Sequence, residues 1–291
     1  MHHHAEEKEI LESLATSIGD REIHDGGGSR IFVTGKGGVG KTLISALLAH
    51  LFAEQGYSVL AVDADPQQNL AYTLGFSPDM AEKIVPLANC ADYIEEKTGA
   101  RPGAGYGGML TLNPDARDVV DRFGIDLGRI RLVVMGSVRQ ASSGCMCPEN
   151  ALLHAVLHAL ELREGEIVLM DTQGGLEHFG RALTDGFDQG IIVTEPTYNA
   201  VSIARRCMLL SRELGVRHLH LVMNKVRGRI EGTPAERLTG ECGYCDSIIT
   251  LPFDDRIAFG AQGVDSLFRV KSEFADGLKR LQLAIRQAGV R

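Results

Sequence analysis

The chain of 291 residues is 44% hydrophobic and 23% charged, a composition typical of soluble globular proteins that excludes fibrous and largely disordered classes. Its 30 basic and 38 acidic residues give a net charge of −8, and no Lys/Arg run is present, so we expect no nucleic-acid partner. No apolar stretch reaches the roughly 18–20 residues of a membrane span, and the polar start lacks a signal peptide. We therefore expect a cytoplasmic protein without a membrane partner.

The first 29 residues are predicted to form a helical appendage followed by a linker. Apolar residues between Ala5 and Ile18 recur at helical spacing, and Gly26–Ser29 has the composition of a flexible linker. The three histidines after Met1 could be a tag or native, and we assign them no function. The main domain is expected to span residues 30–291.

From residue 30 onward, short apolar runs alternate with helix-length segments. The predicted strands are Arg30–Val33, Ser58–Val62, Arg131–Met135, Ile167–Met170, Gly190–Val193, His218–Met223 and Ile248–Leu251. The predicted helices are Lys41–Gln55, Glu149–Leu162, Tyr198–Leu214 and Lys271–Ala288. Continuous apolar strands are buried on both faces, so the pattern predicts an α/β fold with a doubly wound, mostly parallel sheet between two helical layers. Residues from about 75 to 128, including the loop Arg101–Gly108, are expected to form an insertion over one sheet edge.

The strongest functional signal is a glycine-rich loop that follows the first strand and opens the first helix. It matches the pattern G-x-x-x-x-G-K-[ST] and comprises Gly35, Lys36, Gly37, Gly38, Val39, Gly40, Lys41 and Thr42. Glycines let consecutive backbone N–H groups point into one concavity, where they bind phosphate oxygens with the positive end of the helix dipole. We expect the Lys41 ammonium to reach the β- and γ-phosphates and the Thr42 hydroxyl to ligate Mg²⁺.

A second lysine in this loop carries a resemblance to a known family. Lys36, directly after the first glycine, resembles the deviant Walker A ATPases, which include MinD, ParA and the nitrogenase iron protein. The resemblance implies that Lys36 crosses a homodimer interface to the partner's nucleotide, comparable to an arginine finger in trans. Leu43 departs from the family, because many members carry a hydroxyl there that touches the α-phosphate. A backbone contact at Leu43 would replace that hydroxyl.

Two acidic strand ends resemble the switch regions of the same family. Asp65, before a proline, matches the residue that orients or deprotonates the attacking water, whereas Asp63 is expected to be structural or in the outer shell. Asp171 ends an apolar strand, and the resemblance implies that it holds Mg²⁺ through water. Gly174 and Gly175 would let a backbone N–H approach the γ-phosphate and relax when that phosphate leaves.

Two later strand ends resemble the base-binding side of the family. Asn224 matches the adenine contact, and Pro252, Phe253 and Asp254 match a second base-side loop. The guanine-specific pattern Asn-Lys-x-Asp is absent, because Arg227 occupies its last position. We therefore expect ATP rather than GTP as the nucleotide.

The cysteines suggest a second kind of site. The six are Cys90, Cys145, Cys147, Cys207, Cys242 and Cys245. In a reducing compartment disulfides are not expected, so the two closely spaced pairs indicate metal or redox chemistry, and Cys90 and Cys207 are predicted to be small core residues. In extended backbone Cys145 and Cys147 would lie about 6.6 Å apart on one side, which suits chelation of one soft metal better than a disulfide. Thiolates suit Zn²⁺, Cu⁺ and square-planar Ni²⁺, although a tight turn of small residues fits the same pattern.

The flanks of these cysteines resemble the nickel-insertion accessory ATPases of carbon monoxide dehydrogenase, the CooC type. The likeness lies in Met135–Val138, Ser143–Leu153 and Asp171–Arg181, and it extends from about residue 30 to the end. It implies a metallochaperone with slow, conformationally coupled ATP hydrolysis, in which Cys145 and Cys147 of two subunits hold Ni²⁺, or Zn²⁺ in vitro. The client would be carbon monoxide dehydrogenase or acetyl-CoA synthase. Gln173 and Gly174 depart from the Glu-Ala expected there.

Alternatives stay open at this stage. Cys242 and Cys245 could supply a second metal-ligand pair in cis, hold an iron–sulfur cluster in a carrier ATPase, or form a reduced surface loop. A bridging site would bind half a metal per chain and a cis site one per chain. If the cysteines are incidental, a ParA/MinD-type positioning ATPase is the remaining interpretation. His178 could be a transient ligand, although a structural histidine is the more common case.

Overall fold

The computed structural model describes residues 27–101, 111, 115–136, 155–156, 162–174, 186–228, 236–237, 243–258 and 272–289. Its strands are β1 (Ser29–Gly35), β2 (Ser58–Ala64), β3 (Ile125–Leu127), β4 (Ile130–Val134), β5 (Glu166–Thr172), β6 (Gln189–Thr194), β7 (His218–Val226) and β8 (Ser247–Pro252). They form one eight-stranded sheet in the order β3-β4-β2-β5-β1-β6-β7-β8. All neighbours pair in parallel except β3, which runs antiparallel to β4.

The helices frame this sheet and complete the predicted α/β fold. They are α1 (Lys41–Glu54), α2 (Leu70–Leu74), α3 (Pro78–Ala81), α4 (Ala91–Thr98), α5 (Val119–Phe123), α6 (Tyr198–Glu213), α7 (Asp255–Ala258) and α8 (Glu273–Gln287), with a 3₁₀ turn at Leu87–Asn89. The fold class is confirmed, and the predicted strands and the helices α1, α6 and α8 are present with bounds shifted by at most three residues. No helix among the described residues is long and apolar enough to cross a membrane.

Some predictions fall partly or wholly outside the described residues. They are the helical appendage before residue 27, most of the loop Arg101–Gly108 and most of the helix Glu149–Leu162. The strand β3 was not predicted, because three residues are too few to show an alternating pattern. It lies at the sheet edge, within the 75–128 region that also contributes α3, α4 and α5.

Two hydrophobic clusters cover the two faces of the sheet. Along β1, Ile31 and Val33 pack on one face with residues of α1 and α8, whereas Phe32 packs on the other face with residues of α6. Successive strand side chains point to opposite faces, so continuous apolar strands supply both clusters. The helix α1 is itself buried on most sides because it lies between the sheet and α8.

The order of the strands determines where a ligand can bind. The strand β1 lies between β5 and β6, and the chain runs from β1 outward to β2 on one side and from β5 across to β6 on the other. Loops at the carboxyl ends of these strands diverge at this point, which is where open parallel sheets bind their ligands. The glycine-rich loop connects β1 to α1 at this position.

Candidate nucleotide-binding site

The loop between β1 and α1 presents its backbone to solvent at a helix N-terminus. A side chain at Gly35, whose φ is +147°, would overlap the carbonyl oxygen of Val193 in β6, so glycine is required there. Val39 is fully buried and anchors the loop in the core, whereas Gly37 and Gly38 are exposed with open space above them. The exposed backbone of this loop at the start of α1 leaves room for a phosphate, and its phosphate-binding role stays a prediction.

Lys41 begins α1 and lies folded back over this loop. Its side chain is only 6% exposed, and its Nζ is 3.4 Å from the carbonyl oxygen of Lys36, whose own side chain is half-buried. Burial lowers the pKa of Lys41, and the nearby carboxylates of Asp171 and Asp65 act in the opposite direction. A buried ammonium between two carboxylates and a glycine loop is suited to bind phosphate oxygens.

Asp171 lies at the carboxyl end of β5 with its carboxylate fully buried. The hydroxyls of Thr42 and Ser45 donate to it, with Ser45 Oγ 3.2 Å from Oδ1, while Oδ2 has no partner among the described residues. Burial raises its pKa to about 6 despite these donors and the cation of Lys41. A buried carboxylate with an unpartnered oxygen beside a hydroxyl fits Mg²⁺, a hard cation that takes oxygen ligands directly or through water.

Asp63 lies one strand away, opposite Asp171 in the β2–β5 register. Its two carboxylate oxygens accept the backbone N–H groups of Asp65 and Leu70, each at 3.0 Å, and burial raises its pKa to about 7. The carboxylate therefore closes the loop of residues 64–69, called here the Asp65 loop. Within it, Asp65 Oδ1 accepts the backbone N–H of Gln67 at 2.9 Å.

The segment after β5 approaches the glycine-rich loop closely. A Cβ added at Gly174 would lie 2.9 Å from the backbone nitrogen of Gly37, so only glycine fits without a shift. Just before it, the Thr172 hydroxyl donates to the carbonyl oxygen of Val33 at 2.8 Å. Gly174 thus brings the predicted switch segment after β5 against the glycine-rich loop, whereas Gly175 and His178 lie outside the described residues.

On the other side of the loop, the end of β7 clamps the glycine-rich backbone. Asn224 is buried, and its Nδ2 donates to the carbonyl oxygen of Val39 at 2.8 Å. The Nζ of the next residue, Lys225, donates to the carbonyl oxygen of Gly38 at 2.5 Å. One N–H of the Asn224 amide thus binds the loop, which leaves its second N–H and its Oδ1 for a base. The adenine contact expected of Asn224 stays a prediction.

The second base-side loop is joined to the same strand end. Pro252 ends β8, and the backbone N–H of Phe253 donates to the carbonyl oxygen of Val226 at 2.9 Å. The guanidinium carbon of Arg227 lies 3.6 Å from the centroid of the Phe253 ring. Asp254 forms an ion pair with Arg256 and is partly buried. The residues predicted to surround the base therefore lie beside one another, next to the clamped loop.

A family model described as the CobQ/CobB/MinD/ParA nucleotide binding domain matches residues 31–283 of the chain. The chain belongs to this family. The carbon monoxide dehydrogenase accessory protein CooC of Rhodospirillum rubrum is 32% identical over 256 residues, covering 88% of this chain and 95% of CooC. An uncharacterized ATP-binding protein of Methanocaldococcus jannaschii is 39% identical over 228 residues, covering 78% of this chain and 86% of that protein.

Solved structures agree with the fold of this CobQ/CobB/MinD/ParA ATPase. The septum site-determining protein MinD of Pyrococcus horikoshii, complexed with Mg-ADP, superposes with a TM-score of 0.61 at 18% identity, covering 90% of this chain and 98% of that one. The MinC:MinD complex of Aquifex aeolicus gives the same TM-score, 0.61, at 18% identity, covering 90% of this chain and 96% of that one. The family predicted from Lys36 and its loop is confirmed, and the chain is an ATPase that binds ATP.

Sequence reasoning did not single out two residues of the ATPase site. Ser45 donates to Asp171, and its only signal was a hydroxyl one helical turn after Lys41 in an otherwise apolar helix. Lys225 reaches the Gly38 carbonyl from a backbone position with φ +57°.

Leu43, where the family often has a hydroxyl, packs its side chain partly into the core, so a phosphate contact at this position would come from its backbone.

The predicted metal ligands Cys145 and Cys147 lie outside the described residues, as does Cys242. Cys245 is bonded in a disulfide, contrary to the expectation of reduced cysteines, and its sulfur lies 3.1 Å from that of Met208. Cys207 is buried in the core and Cys90 packs partly against it, as predicted. In the described part of the chain, no three His, Cys, Asp or Glu side chains are grouped to hold a metal.

Proposed function

We propose that the protein is an ATP-dependent metallochaperone that inserts nickel into carbon monoxide dehydrogenase or the related acetyl-CoA synthase. The observation that carries this proposal is the 32% identity to the carbon monoxide dehydrogenase accessory protein CooC, which extends over 88% of this chain and 95% of CooC. A likeness over nearly the whole of both chains includes more than the nucleotide site. It therefore favours a shared role more strongly than a match to the phosphate loop alone would.

The described residues support the hydrolytic half of this function. Lys41 would bind the β- and γ-phosphate oxygens, and Thr42 with Asp171 would hold Mg²⁺, which when bound neutralises charge on those oxygens. Asp65 would take the proton of the attacking water as its oxygen bonds to the γ-phosphorus and the bond to the ADP oxygen breaks. Lys36 of a second subunit would stabilise the charge that develops. Hydrolysis is expected to be slow, because its useful product is a conformational change.

The metal half rests on Cys145 and Cys147. One pair of thiolates leaves a four-coordinate ion with two ligands missing, and the same pair from a second subunit would supply them. Thiolates in a square-planar or tetrahedral arrangement accept Ni²⁺ or Zn²⁺. Because ATP would draw two chains together through Lys36, nucleotide binding would assemble the metal site and hydrolysis would release it to the client enzyme.

Anaerobic metal titration with parallel mass measurement tests this function. We expect about one Ni²⁺ per two chains, bound as a dimer with Mg²⁺ and a non-hydrolysable ATP analogue, and weaker retention with ADP. The double variant Cys145→Ser/Cys147→Ser should lose binding, whereas the matched variant Cys90→Ser should retain it. Unchanged nickel uptake by the double variant, or identical retention with ATP analogue and ADP, contradicts the proposal.

A variant of the second cysteine pair separates the remaining metal interpretations. Because Cys245 is in a disulfide, this test uses reduced protein. If Cys242→Ser/Cys245→Ser then abolishes metal or iron–sulfur absorption while Cys145→Ser retains it, the chain is a cluster carrier or uses a site in cis. One metal per monomeric chain points to the cis site. Visible iron–sulfur bands point to the carrier.

A ParA/MinD-type positioning ATPase is the second candidate, and the fold likeness to MinD favours it. Such a protein would bind DNA or liposomes only with ATP. The net charge of −8 opposes DNA binding. Co-sedimentation with each surface, with ATP and with ADP, distinguishes this candidate from the metallochaperone.

A further inference from the structure

Two consecutive side chains at the carboxyl end of β7 bind the same loop, which a regular strand does not allow. Successive side chains of a strand point to opposite faces, yet Asn224 Nδ2 donates to the Val39 carbonyl and Lys225 Nζ donates to the Gly38 carbonyl. The pairing of β7 with β8 shifts register just before Val226, as in a β-bulge. Bulges bend a strand and redirect its side chains, and they are frequent beside active sites. The irregularity therefore turns both side chains toward the glycine-rich loop.

The backbone at this bulge is strained. Lys225 has a φ of +57°, a value that residues other than glycine rarely adopt. Besides its bond to the Gly38 carbonyl, its Nζ lies 3.8 Å from Oε2 of Glu195. Strain of this kind persists where the surrounding structure holds it, and it is concentrated at ligand sites. It therefore supports a ligand site at the end of β7, where the base contact of Asn224 is predicted.

The chain leaves the bulge at Arg227, an exposed residue that lies over an aromatic ring. Its guanidinium carbon is 3.6 Å from the centroid of the Phe253 ring, and the Phe253 backbone N–H donates to the Val226 carbonyl at 2.9 Å. Among the described residues the guanidinium contacts this ring and no carboxylate. A guanidinium has no acceptor, and on a ring face its N–H groups stay available at its edge. The end of β7 thus presents hydrogen-bond donors three residues after Asn224.

Adenine and guanine differ at the atoms that these donors would meet. The second N–H and the Oδ1 of Asn224 match N7 and the N6 amino group of adenine, which is the usual pairing of asparagine with this base. The next atom along the edge, N1, is an acceptor in adenine, whereas guanine carries donors at N1 and N2. The guanine-specific pattern Asn-Lys-x-Asp has acceptors at its last position, where this chain has Arg227. A guanidinium there suits adenine and leaves both guanine donors unpaired.

We propose that Arg227, held against Phe253, selects adenine over guanine by donating a hydrogen bond to N1 of the base. A site built to hydrogen-bond one ligand rejects an analogue that cannot form the bond, because buried polar groups are then left unpaired. The proposal deepens the ATPase half of the proposed function and rests on the base site predicted at Asn224. It does not depend on the metal half.

Phosphate release from three nucleotides tests the hydrogen bond in the native protein. The nucleotides are ATP, GTP and 1-deaza-ATP, in which a C–H group replaces N1. We expect kcat/KM to be about 100-fold lower for GTP than for ATP, and about 10-fold lower for 1-deaza-ATP. The loss with 1-deaza-ATP should lie in KM, because the base is remote from the reacting phosphate. Equal use of 1-deaza-ATP and ATP would overturn the proposal.

Two substitutions of Arg227 separate loss of the donors from gain of acceptors. Arg227→Met should lower the preference for ATP over GTP below about 10-fold and use 1-deaza-ATP as well as ATP. Arg227→Asp should raise kcat/KM for GTP by about 10-fold. Arg217→Met is the matched control, because Arg217 lies just before the amino end of β7 and pairs with Asp188 at 3.2 Å. Both arginines are exposed, so we expect all three variants to fold, which urea unfolding checks.

A native preference for ATP in Arg227→Met, or an equal loss of preference in Arg217→Met, would refute the role of Arg227. An unchanged KM for ATP in Asn224→Ala would place the base elsewhere and refute it as well. Nickel titration in parallel distinguishes this proposal from the metallochaperone. Nickel binding with a native preference in Arg227→Met would contradict the role of Arg227 alone, whereas a lost preference without nickel binding would support that role and contradict the metallochaperone.

Discussion

The two ends of the sheet bury polar side chains in different ways. At the carboxyl end, Asp63 and Asp171 are buried carboxylates whose pKa values are raised to about 7 and about 6, and one oxygen of Asp171 has no partner among the residues that the structure describes. At the amino end, both ring nitrogens of the buried His220 are bonded, at 2.8 Å to Ser247 Oγ and at 2.9 Å to Gln189 Oε1.

This difference separates polar groups that serve a ligand from those that serve the fold. Gln189 also donates to the carbonyl oxygen of Ile285 at 3.1 Å, so the amino-end network connects β6, β7, β8 and α8. Its groups satisfy one another, whereas at the other end one oxygen of Asp171 has no donor among the described residues and would gain from a cation. Binding sites are expected to be less stable than the scaffold for this reason. Substitutions at either end of the sheet test this difference.

The largest effect is expected from Lys41→Ala. Removing the buried ammonium takes away the main charge complement of the β- and γ-phosphates, so phosphate release should fall by about 100-fold or more. Lys97→Ala is the matched control, because Lys97 pairs with Asp118 at 2.8 Å in the region of α4 and α5. If the Lys41 variant hydrolysed ATP at the native rate, hydrolysis would not take place at the carboxyl end of the sheet.

Asp171→Asn should remove activity and stabilise the nucleotide-free protein. The pKa of Asp171 is raised from 3.8 to about 6 by burial, so the folded state binds more protons than the unfolded state between these values and loses stability as the pH rises through them. At pH 8 the neutral amide should gain about 1–2 kcal/mol in the free energy of unfolding, measured with urea. Hydrolysis should fall by about 100-fold.

Asp246→Asn is the control from the amino end for this variant. Burial tends to raise the pKa of Asp246, but the Leu219 N–H, at 2.7 Å, and His218 outweigh it and lower the pKa. Its ionised form therefore stabilises the fold above its unfolded pKa, and the amide should be less stable than native at pH 8. If Asp171→Asn and Asp246→Asn were both more stable than native at pH 8, or if neither were, the two ends of the sheet would not differ in this way.

Local patterns predicted most of the carboxyl end. The glycine-rich loop is contiguous in sequence. Asp63 and Asp171 each lie near the carboxyl end of a strand, and parallel strands place their carboxyl ends at the same edge of the sheet, so the two residues meet there. What the pattern could not give was the choice of partner atoms. The strand end of Asn224 predicts a base contact, which stays a prediction, but it does not predict the hydrogen bond of its amide to the Val39 carbonyl. That bond depends on how close β7 comes to the loop.

The amino-end network could not be predicted for a different reason. His220 and Gln189 lie near the starts of mainly apolar strands, and neither belongs to a motif. Their pairing depends on the order of β6, β7 and β8 and on where α8 crosses them, which are tertiary facts. Similarly, the hydrogen bond from Ser45 to Asp171 could not be predicted, because it depends on how β5 packs against α1.

The third prediction concerns a variant that removes His220 from the amino-end network. His220→Ala leaves Gln189 and Ser247 without their ring partner and opens a cavity, so the free energy of unfolding should fall by about 2–4 kcal/mol at pH 7.5. ATP hydrolysis by the folded fraction should be unchanged, because the network lies at the opposite end of the sheet. Denaturant unfolding and phosphate release measure both quantities.

The pH dependence of this loss has a defined sign. Burial lowers the pKa of His220 from 6.5 to about 4, with Asp246 opposing the shift and His218 and Arg212 assisting it. The folded state therefore binds fewer protons between these values, and native stability falls as the pH drops from about 6.5 to about 4, by up to about 3 kcal/mol. His220→Ala removes this dependence, so its cost should shrink toward pH 4.5. A cost that is constant with pH would mean that His220 titrates normally.

The smallest expected effect concerns an unpaired amide at the amino end. Gln282 is buried in α8, and its Nε2 has no partner in the described part of the chain, while its Oε1 accepts from Gln55 Nε2 at 3.0 Å. Gln282→Met keeps the volume and removes the unpaired group, and the exposed Gln55 can turn to water, so unfolding should change by less than about 1 kcal/mol in either direction. The rate of ATP hydrolysis should equal the native rate.

The unpaired oxygen of Asp171 should behave differently from the unpaired nitrogen of Gln282. Binding of Mg-nucleotide should stabilise the native protein but not Asp171→Asn, and a thermal shift with and without nucleotide would measure this difference. If Gln282→Met altered the nucleotide response as well, an unpaired buried polar atom would cease to distinguish a ligand site from the scaffold.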